Sequence, residues 1–302
     1  MQRTLRPISG RDELDLFRRL PYVLNSELDG DLTAGRRRAE WLWVALDGDR
    51  VVARAGWWAR AGSAEPFLMD FFDFADGEVE AGEELLRAAL DALVHDGATP
   101  PEYIRFIPPD WHDDPGAVQS RMAVLERLGA RPLVERRRLE WRPGAGVPAA
   151  SGRLRFREFS GTTEALDLMT QAVQGTLDAH HRTDLERLPP RAVAEEHLHG
   201  ELVKYPSPHD WWRVATLPNG EPVGFVFPAR NDYGPIIAYI GVLPQHRGHG
   251  YIDDVLAEGT RVLAGQDAPR IRATTDVGNV PMARAFARAG YDNYQNELNM
   301  TW

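Results

Sequence analysis

Residues 240–256, IGVLPQHRGHGYIDDVL, carry the strongest structural signal in the sequence. This stretch opens with an apolar run that stops at Pro244, and apolar residues return at helical spacing after Gly250. The pattern predicts a strand, a turn and a helix, with Gly248 and Gly250 at the start of the helix. The first amides of a helix have no intrahelical partner and the helix dipole is positive there. The glycines therefore either permit the turn or make room for a phosphate group.

Composition narrows the class of protein. The chain has 302 residues, of which 43% are hydrophobic and 26% charged, which is typical of a globular protein with about two domains. The absence of cysteine excludes disulfides, thiolate metal sites and a cysteine nucleophile. A formal charge of −10 argues against nucleic-acid binding, and we interpret the arginine runs 36–38 and 136–138 as solvated faces. No long apolar segment suggests a signal peptide or a membrane span, so we expect a cytoplasmic location.

The same pattern occurs twice along the chain. A hairpin is predicted around Asp47-Gly48 and another around Asn219-Gly220, and each is followed by a strand, a helix, a strand, a helix ending in Gly, and a last strand closing on Trp141 or Trp302. Corresponding landmarks lie about 160 to 172 residues apart, which indicates a duplicated domain. We predict an α/β fold with a mixed (α+β) sheet in two copies, residues 1–143 and 153–302, joined by a Gly- and Pro-rich linker, 144–152.

Two familiar phosphate loops fit the glycine turn poorly. A nucleotide P-loop needs Gly-Lys-Ser/Thr after its glycines, and Tyr251-Ile252 follow here. A dinucleotide fingerprint needs a third glycine, and Asp253 stands in its place. Neither loop is therefore predicted.

A third pattern does fit. Residues 242–250 read Val-x-Pro-x-x-Arg-Gly-x-Gly, and this resembles the acetyl-CoA signature of the GNAT superfamily of acyl-CoA-dependent N-acyltransferases. Residues 279–291, with Asn279, Phe286 and Gly290-Tyr291, are similar to the second family element, a helix and turn that line the CoA arm. Two ordered elements are far more specific than either alone, so two tandem GNAT-like domains are expected.

The resemblance implies a cofactor site in the second copy. Backbone amides of the glycine turn would hold the pyrophosphate, the edge of the preceding strand would pair with the pantetheine amides, and the second element would border the CoA arm. Many members carry a Tyr that protonates the leaving thiolate where this chain has Phe286. The implied cofactor-binding residues are Ile240, Val242, Gln245, Arg247, Gly248, His249, Gly250, Tyr251, Asn279, Ala283 and Phe286.

The first copy lacks this signature. Its equivalent segment, residues 72–82, has carboxylates at Asp76, Glu78 and Glu80 where phosphate would sit, and like charges repel. It resembles the silent halves of tandem members such as mycothiol synthases. We therefore expect one acetyl-CoA site per chain, the alternative being that the first copy binds CoA by another loop. No bound metal is expected.

Polar residues after the first helix of the second copy are candidates for the acceptor site. Asp178, His180 and His181, together with Tyr239 on the central strand, could bind an amine or take its proton, although a polar helix end on the surface is an equal alternative. Two further candidates, Asp232 and Tyr233, are read first as a turn. His197 and His199 resemble a metal pair, but without further ligands we interpret both as surface residues.

Three functions stay open at this point. The leading hypothesis is an N-acetyltransferase that moves an acetyl group from acetyl-CoA to a primary amine, with a small-molecule acceptor. The missing tyrosine at position 286 leaves room for a CoA-binding sensor or scaffold without turnover. Tandem copies of the fold also occur in tRNA-dependent aminoacyl transferases, against which the acidic charge counts. Nothing in the sequence fixes the acceptor or the oligomeric state.

Overall fold

The structure is a computed structural model that describes residues 3–95 and 97–302. Its contacts divide the chain into two compact units. The first unit runs to Glu135 and includes Glu297–Trp302, and the second unit is Arg136–Asn296. In the described part of the chain, no helix combines the length and apolarity needed to cross a membrane.

The first unit is built on a sheet in the order β1-β2-β3-β4-β5. Neighbouring strands are antiparallel except β4 and β5, which are parallel. The predicted hairpin is confirmed, with Gly48 of its turn at φ +60°. The strands and helices are β1 (Thr4–Pro7), α1 (Leu14–Phe17), α2 (Leu28–Thr33), β2 (Leu42–Asp47), β3 (Arg50–Trp58), β4 (Leu68–Phe74), α3 (Val79–Leu93), β5 (Glu102–Ile107) and α4 (Gly116–Arg127).

The second unit repeats this plan and is also a mixed α/β structure. Its strands follow the order β6-β11-β10-β9-β8-β7, and β10 and β11 are parallel. The predicted second hairpin joins β8 to β9, and the predicted strand–turn–helix of residues 240–256 is confirmed. The strands and helices are β6 (Arg131–Trp141), β7 (Arg155–Arg157), α5 (Thr162–Ala172), α6 (Ala179–Leu185), α7 (Pro190–Gly200), β8 (Arg213–Thr216), β9 (Pro222–Asn231), β10 (Gly234–Val242), α8 (Tyr251–Ala264), β11 (Ile271–Asp276), α9 (Val280–Arg288) and β12 (Asp292–Thr301).

The last strand of each predicted sequence copy belongs mostly or partly to the other compact unit. Residues 136–141 of β6 belong to the second unit and pair antiparallel with β11. The end of β12 belongs to the first unit, where Met300 is fully buried and the Trp302 indole donates to the Leu128 carbonyl at 3.0 Å. The compact units therefore exchange a strand relative to the predicted copies, and the boundaries 1–143, 144–152 and 153–302 stay predictions.

Two apolar layers cover the sheet of the second unit. Helices α8 and α9 close one face, and Ile240 and Val242 of β10 pack into that layer. Helices α5 and α7 close the other face, into which Tyr239 projects. Successive residues of a strand point to opposite faces, so β10 presents side chains to both layers. The candidate site described below is built around β10.

Candidate active site

Strand β10 separates from its neighbour β11 partway along its length. Its pairing with β9 continues to Val242, with a register shift between Ile237 and Tyr239 that marks a β-bulge. The parallel register with β11, among the described residues, runs only through Ile236 and Arg272. Beyond Ile236 the edge of β10 therefore offers backbone N–H and C=O groups to an added extended chain. The predicted residues Ile240 and Val242 lie on this open stretch.

The glycine turn stands directly beyond the open edge. Gly248 has φ +83° and Gly250 has φ +72°, and Gly250 is the N-cap of α8. A Cβ atom added to either glycine would meet no atom within 4 Å, so glycine is required by the backbone conformation and the space around it is open. The neighbouring residues Gln245 and His249 are exposed. Amides of residues 248–251 thus lie where a helix N-terminus attracts an anion.

The side chain of Arg247 does not extend into that space. Its guanidinium donates to the carbonyls of Ala172 at 2.7 Å, Gln174 at 2.8 Å and Gly175 at 3.1 Å, and its Nε donates to the Val242 carbonyl at 3.1 Å. These bonds fix the C-terminal end of α5 beside the end of β10, and a cation is stabilising at a helix C-terminus. The Arg247 side chain therefore holds the end of α5 against the end of β10, while the Arg247 backbone forms part of the turn.

A second arginine holds the turn and was missed by the sequence reasoning. Arg153 donates to the carbonyls of His249 at 3.0 Å and Gly250 at 3.2 Å, and it pairs with the buried Asp254 at 2.6 Å. Its guanidinium also lies over the ring of Tyr251, 5.1 Å from the centroid. Arg153 follows the linker, outside both motifs, so no local pattern marked it.

The second motif forms α9. The Asn279 side chain is the N-cap and accepts a hydrogen bond from the Met282 amide at 3.3 Å, and Ala283 is half-buried on the first turn. Phe286 is 1% exposed and packs edge to face on Tyr291, with the ring centroids 5.0 Å apart. Phe286 is thus a core residue in this structure, enclosed in the layer between α8, α9 and the sheet.

Two histidines and a tyrosine meet on the α5–α7 face of β10. His181 Nε2 lies 3.1 Å from His197 Nδ1, and both rings contact the ring of Tyr239, with centroids 5.5 and 4.6 Å away. Burial lowers the pKa of His181, and it lowers the pKa of His197 to about 4, so both rings are neutral at pH 7. Burial, followed by the Asp178 charge, raises the pKa of Tyr239, so its hydroxyl stays protonated at pH 7 and is not a base.

Asp178 connects this group to the end of β11. Its carboxylate caps α6 by accepting from the His181 amide at 3.0 Å, and it lies 3.3 Å from the guanidinium of Arg136. Arg136 also pairs with Asp276 at 3.0 Å, and Asp276 accepts from the Ala179 amide at 2.7 Å. Burial opposes the ionisation of Asp178, but the Arg136 charge, the neighbouring histidines and the hydrogen bond from the His181 amide together outweigh it and lower the pKa of the Asp178 carboxyl. Asp178 is therefore a negative charge beside the open edge.

The structure thus brings together three of the four predicted catalytic residues, Asp178, His181 and Tyr239. His180, next on α6, is half-buried, and its charge favours the ionised form of Asp178. The further candidate Asp232 is exposed in the β9–β10 turn, where Tyr233 donates its amide to Asn231 at 2.9 Å. This turn lies at the opposite end of β10 from the glycine turn.

The interpretation of His197 as a surface residue was wrong. His197 follows Val193 by one helical turn on the buried face of α7, and its partner is His181, whereas His199 is exposed as expected. The spacing from Val193 was the signal available in the sequence. The interpretation of the arginine runs as solvated faces was also wrong, because Arg136 pairs with two carboxylates and Arg37 is 2% exposed.

The first unit fills the equivalent position with its own side chains. Among the described residues, β4 pairs with β5 only at Leu68 and Met69. Beyond Met69, β4 therefore separates from β5, as β10 separates from β11. The Phe72 carbonyl accepts from Arg105 at 3.2 Å and from Arg121 at 3.2 Å. Both guanidiniums also contact the buried Asp73, at 2.9 and 3.3 Å. These side chains occupy the edge that an extended chain would need.

The acidic residues of the first copy's turn are not all free charges. Glu78 pairs with Arg3 at 3.2 Å and with Arg50 at 2.6 Å, while Asp76 and Glu80 are exposed. No Arg-Gly-x-Gly turn is present there. The filled edge of β4 is therefore a stronger obstacle to a cofactor than the charge at Glu78.

Comparison with known proteins agrees with this geometry. Residues 177–291 match the model of the acetyltransferase (GNAT) family, and no curated protein sequence matches the chain. A GCN5-related N-acetyltransferase from Sphaerobacter thermophilus has a similar structure, with a TM-score of 0.58, 16% identity, and coverage of 99% of this chain and 95% of that one.

Two other solved structures show the same fold. A tandem GNAT protein from the clavulanic acid biosynthesis pathway has a TM-score of 0.54 at 15% identity, covering 100% of this chain and 98% of that one. A GCN5-related N-acetyltransferase from Kribbella flavida has a TM-score of 0.52 at 17% identity, covering 92% and 93%. At such identities the likeness concerns the fold. The chain accordingly has the fold of a tandem GNAT protein, and residues 177–291 are the part that matches the acetyltransferase (GNAT) family model.

Proposed function

We propose that the second unit is an N-acetyltransferase that binds acetyl-CoA and transfers its acetyl group to a primary amine on a small molecule. The observation that supports this most is the continuity of two features. The open edge of β10 leads directly into the glycine turn at the N-terminus of α8. An extended amide-bearing arm along Ile240 and Val242 would thus end with its pyrophosphate at the amides of residues 248–251.

The thioester would then lie near the bulge of β10, beside Asp178 and the two histidines. The negative charge of Asp178 attracts a protonated amine, and the neutral His181 accepts its proton. The freed lone pair attacks the acetyl carbon, a C–N bond forms, the C–S bond breaks, and CoA leaves as the thiolate. The nitrogen sheds its second proton as the amide forms, and Tyr239, which its raised pKa keeps protonated, passes its hydroxyl proton to the thiolate and regains one from that nitrogen, in place of a tyrosine at position 286.

We also propose that each chain binds one acetyl-CoA. The edge of β4 is occupied by Arg105 and Arg121, whereas the equivalent stretch of β10 is open. This proposal agrees with the expectation from the acidic turn of the first copy. Calorimetric titration of the full chain with acetyl-CoA should give one site, and two equivalent sites would contradict it.

The test of the site uses a pair of matched variants. Gly250→Glu places a carboxylate at the proposed phosphate position, and Gly220→Glu places one in the β8–β9 turn, where φ is +91° and a Cβ also meets nothing within 4 Å. Both carry a similar backbone strain of about 1–2 kcal/mol. We expect Gly250→Glu to lose acetyl-CoA binding and Gly220→Glu to retain it. Affinity of Gly250→Glu within threefold of wild type, less than about 1 kcal/mol, would show that the site is elsewhere.

Turnover is tested by CoA release from acetyl-CoA in the presence of a panel of primary amines. We expect release that depends on the amine and that is lost in His181→Gln. Tight binding of acetyl-CoA without release for any amine would instead favour a CoA-binding sensor.

A further inference from the structure

Contacts of the histidine pair continue from His197 to the protein surface. His197 Nε2 lies 3.7 Å from Oε2 of Glu201, and Oε1 of Glu201 accepts from the Tyr205 hydroxyl at 2.5 Å. The Glu201 side chain is 43% exposed. At the other end, His181 Nδ1 lies 3.8 Å from Oδ1 of Asp178. Two imidazoles in contact therefore bridge a carboxylate at the proposed acceptor site and a carboxylate in water.

We propose that His181, His197 and Glu201 form a proton relay that carries the proton of the amine from the acceptor site to solvent. The inference rests on the proposed acetyltransferase function, which releases one proton for each acetyl group transferred. His197 and Glu201 act through His181, so they are positioning and relay residues and need not touch the substrate.

The chemistry of the relay balances without another reactant. In the receiving state, His181 carries its proton on Nε2 and donates it to Nδ1 of His197, whose own proton is on Nε2. A proton arriving at His181 Nδ1 forms an N–H bond there, the Nε2 proton moves to His197 Nδ1, and the Nε2 proton of His197 passes to Glu201 and water. Each ring gains one proton and loses one, and a reversal of both tautomers resets the pair.

Burial favours such a relay over a charged base that keeps its proton. His181 Nδ1 is buried and has no hydrogen-bond partner among the described residues, so the receiving nitrogen is held ready. Burial lowers the pKa of both rings, so a doubly protonated ring is short-lived at pH 7. The charged and titratable groups facing the pair are Asp178, His180 and Asp184 around α6, Arg136 on β6, Tyr239 on β10 and Glu201 after α7.

Helix α7 supplies matched controls. His199→Gln and Glu196→Gln alter exposed residues of the same types on the same helix. In the full chain without ligand, ¹⁵N NMR of the histidine side chains reports which ring nitrogen is protonated. We expect Glu201→Gln to shift the tautomer populations of both buried rings and Glu196→Gln to leave them unchanged. Identical spectra for these two variants would overturn the relay.

The kinetic arm uses acetyl-CoA and the amine found active in the panel. A relay of this kind contributes up to the range of a general base, 10²–10⁴-fold. We expect His197→Gln to lower kcat by ten- to a hundredfold, to leave KM for acetyl-CoA within about twofold, and to regain rate on addition of imidazole. A loss no larger than that of His199→Gln, or a loss that imidazole does not restore at any pH, would refute the relay. Absence of transfer by the wild-type chain would refute the proposed function, and the NMR result would still decide the connection between the two rings and Glu201.

Discussion

Replacement of Arg247 by Met is expected to lower the free energy of unfolding of the second unit. The guanidinium makes separate hydrogen bonds to the carbonyls of Ala172, Gln174 and Val242, at 2.7, 2.8 and 3.1 Å. A charged donor contributes about 1.5–3 kcal/mol per buried bond, but carbonyls near the surface regain water, so we take about 1 kcal/mol each. Loss of the cation at the C-terminus of α5 adds about 0.3–1 kcal/mol. Methionine keeps part of the packing, and the expected loss is about 2–4 kcal/mol.

Urea unfolding followed by circular dichroism measures this loss, with Arg191→Met as the control. Arg191 is an exposed arginine that makes only surface ion pairs, with Asp167 and Glu195, and its removal should cost less than about 1 kcal/mol. The affinity of Arg247→Met for acetyl-CoA should stay within about threefold of wild type, because the side chain does not extend to the glycine turn. An unfolding energy equal to that of Arg191→Met, together with a more than tenfold loss of affinity that weakens in salt, would refute the positioning contact and put the guanidinium on a phosphate.

Three further outcomes are expected. Phe286→Tyr places a hydroxyl in the core, so it should cost about 1–3 kcal/mol in urea unfolding and change kcat less than tenfold; a rise of several hundredfold would show that an acid is limiting. Asp73→Asn removes the carboxylate shared by three arginines and should cost about 3–5 kcal/mol, whereas the exposed Asp76→Asn should cost less than about 0.5 kcal/mol; equal costs would contradict this. Because burial lowers the pKa of His197 to about 4 and an unfolded histidine titrates near 6.5, the unfolded chain binds the proton first, so stability should fall as pH drops from 6.5 to 4. His197→Gln should flatten that fall in unfolding curves measured across this range, and an unchanged slope would speak against the burial of a neutral ring.

The local elements of the glycine turn could be predicted because their signals are local. The apolar run of β10, the stop at Pro244 and the helical spacing after Gly250 all lie within seventeen residues and depend on backbone geometry alone. The open edge of β10 could not be predicted in the same way. It arises because β11 pairs only with the start of β10, and a bulge between Ile237 and Tyr239 leaves no mark on the hydrophobic pattern.

The acceptor side shows a different limit. Asp178 and His181 were candidates because polar residues follow a helix end, but an exposed helix end has the same composition. His197 was interpreted as a surface residue because no further metal ligands stand near it in the sequence, and its partner on α6 is sixteen residues away. Arg136 belongs to a run of three arginines, and such a run by its charge alone predicts a solvent-exposed face. In each case the contact that gives the residue its place in the site joins distant parts of the sequence. These side chains are buried because α6, α7 and β6 pack together.

Arg136 is the residue that the predicted first copy contributes to the proposed acceptor site. Arg136 stands on β6, within the predicted first copy, yet β6 pairs with β11 and its guanidinium lies between Asp178 and Asp276. Without that cation the two carboxylates would repel each other, and each would raise the pKa of the other. Asp178 would then be harder to ionise, and the attraction that we propose for a protonated amine would weaken. A second copy cut at residue 153 would lack both this strand and this charge, so the proposed acceptor site depends on sequence that precedes the linker, even though Arg105 and Arg121 fill the edge of β4.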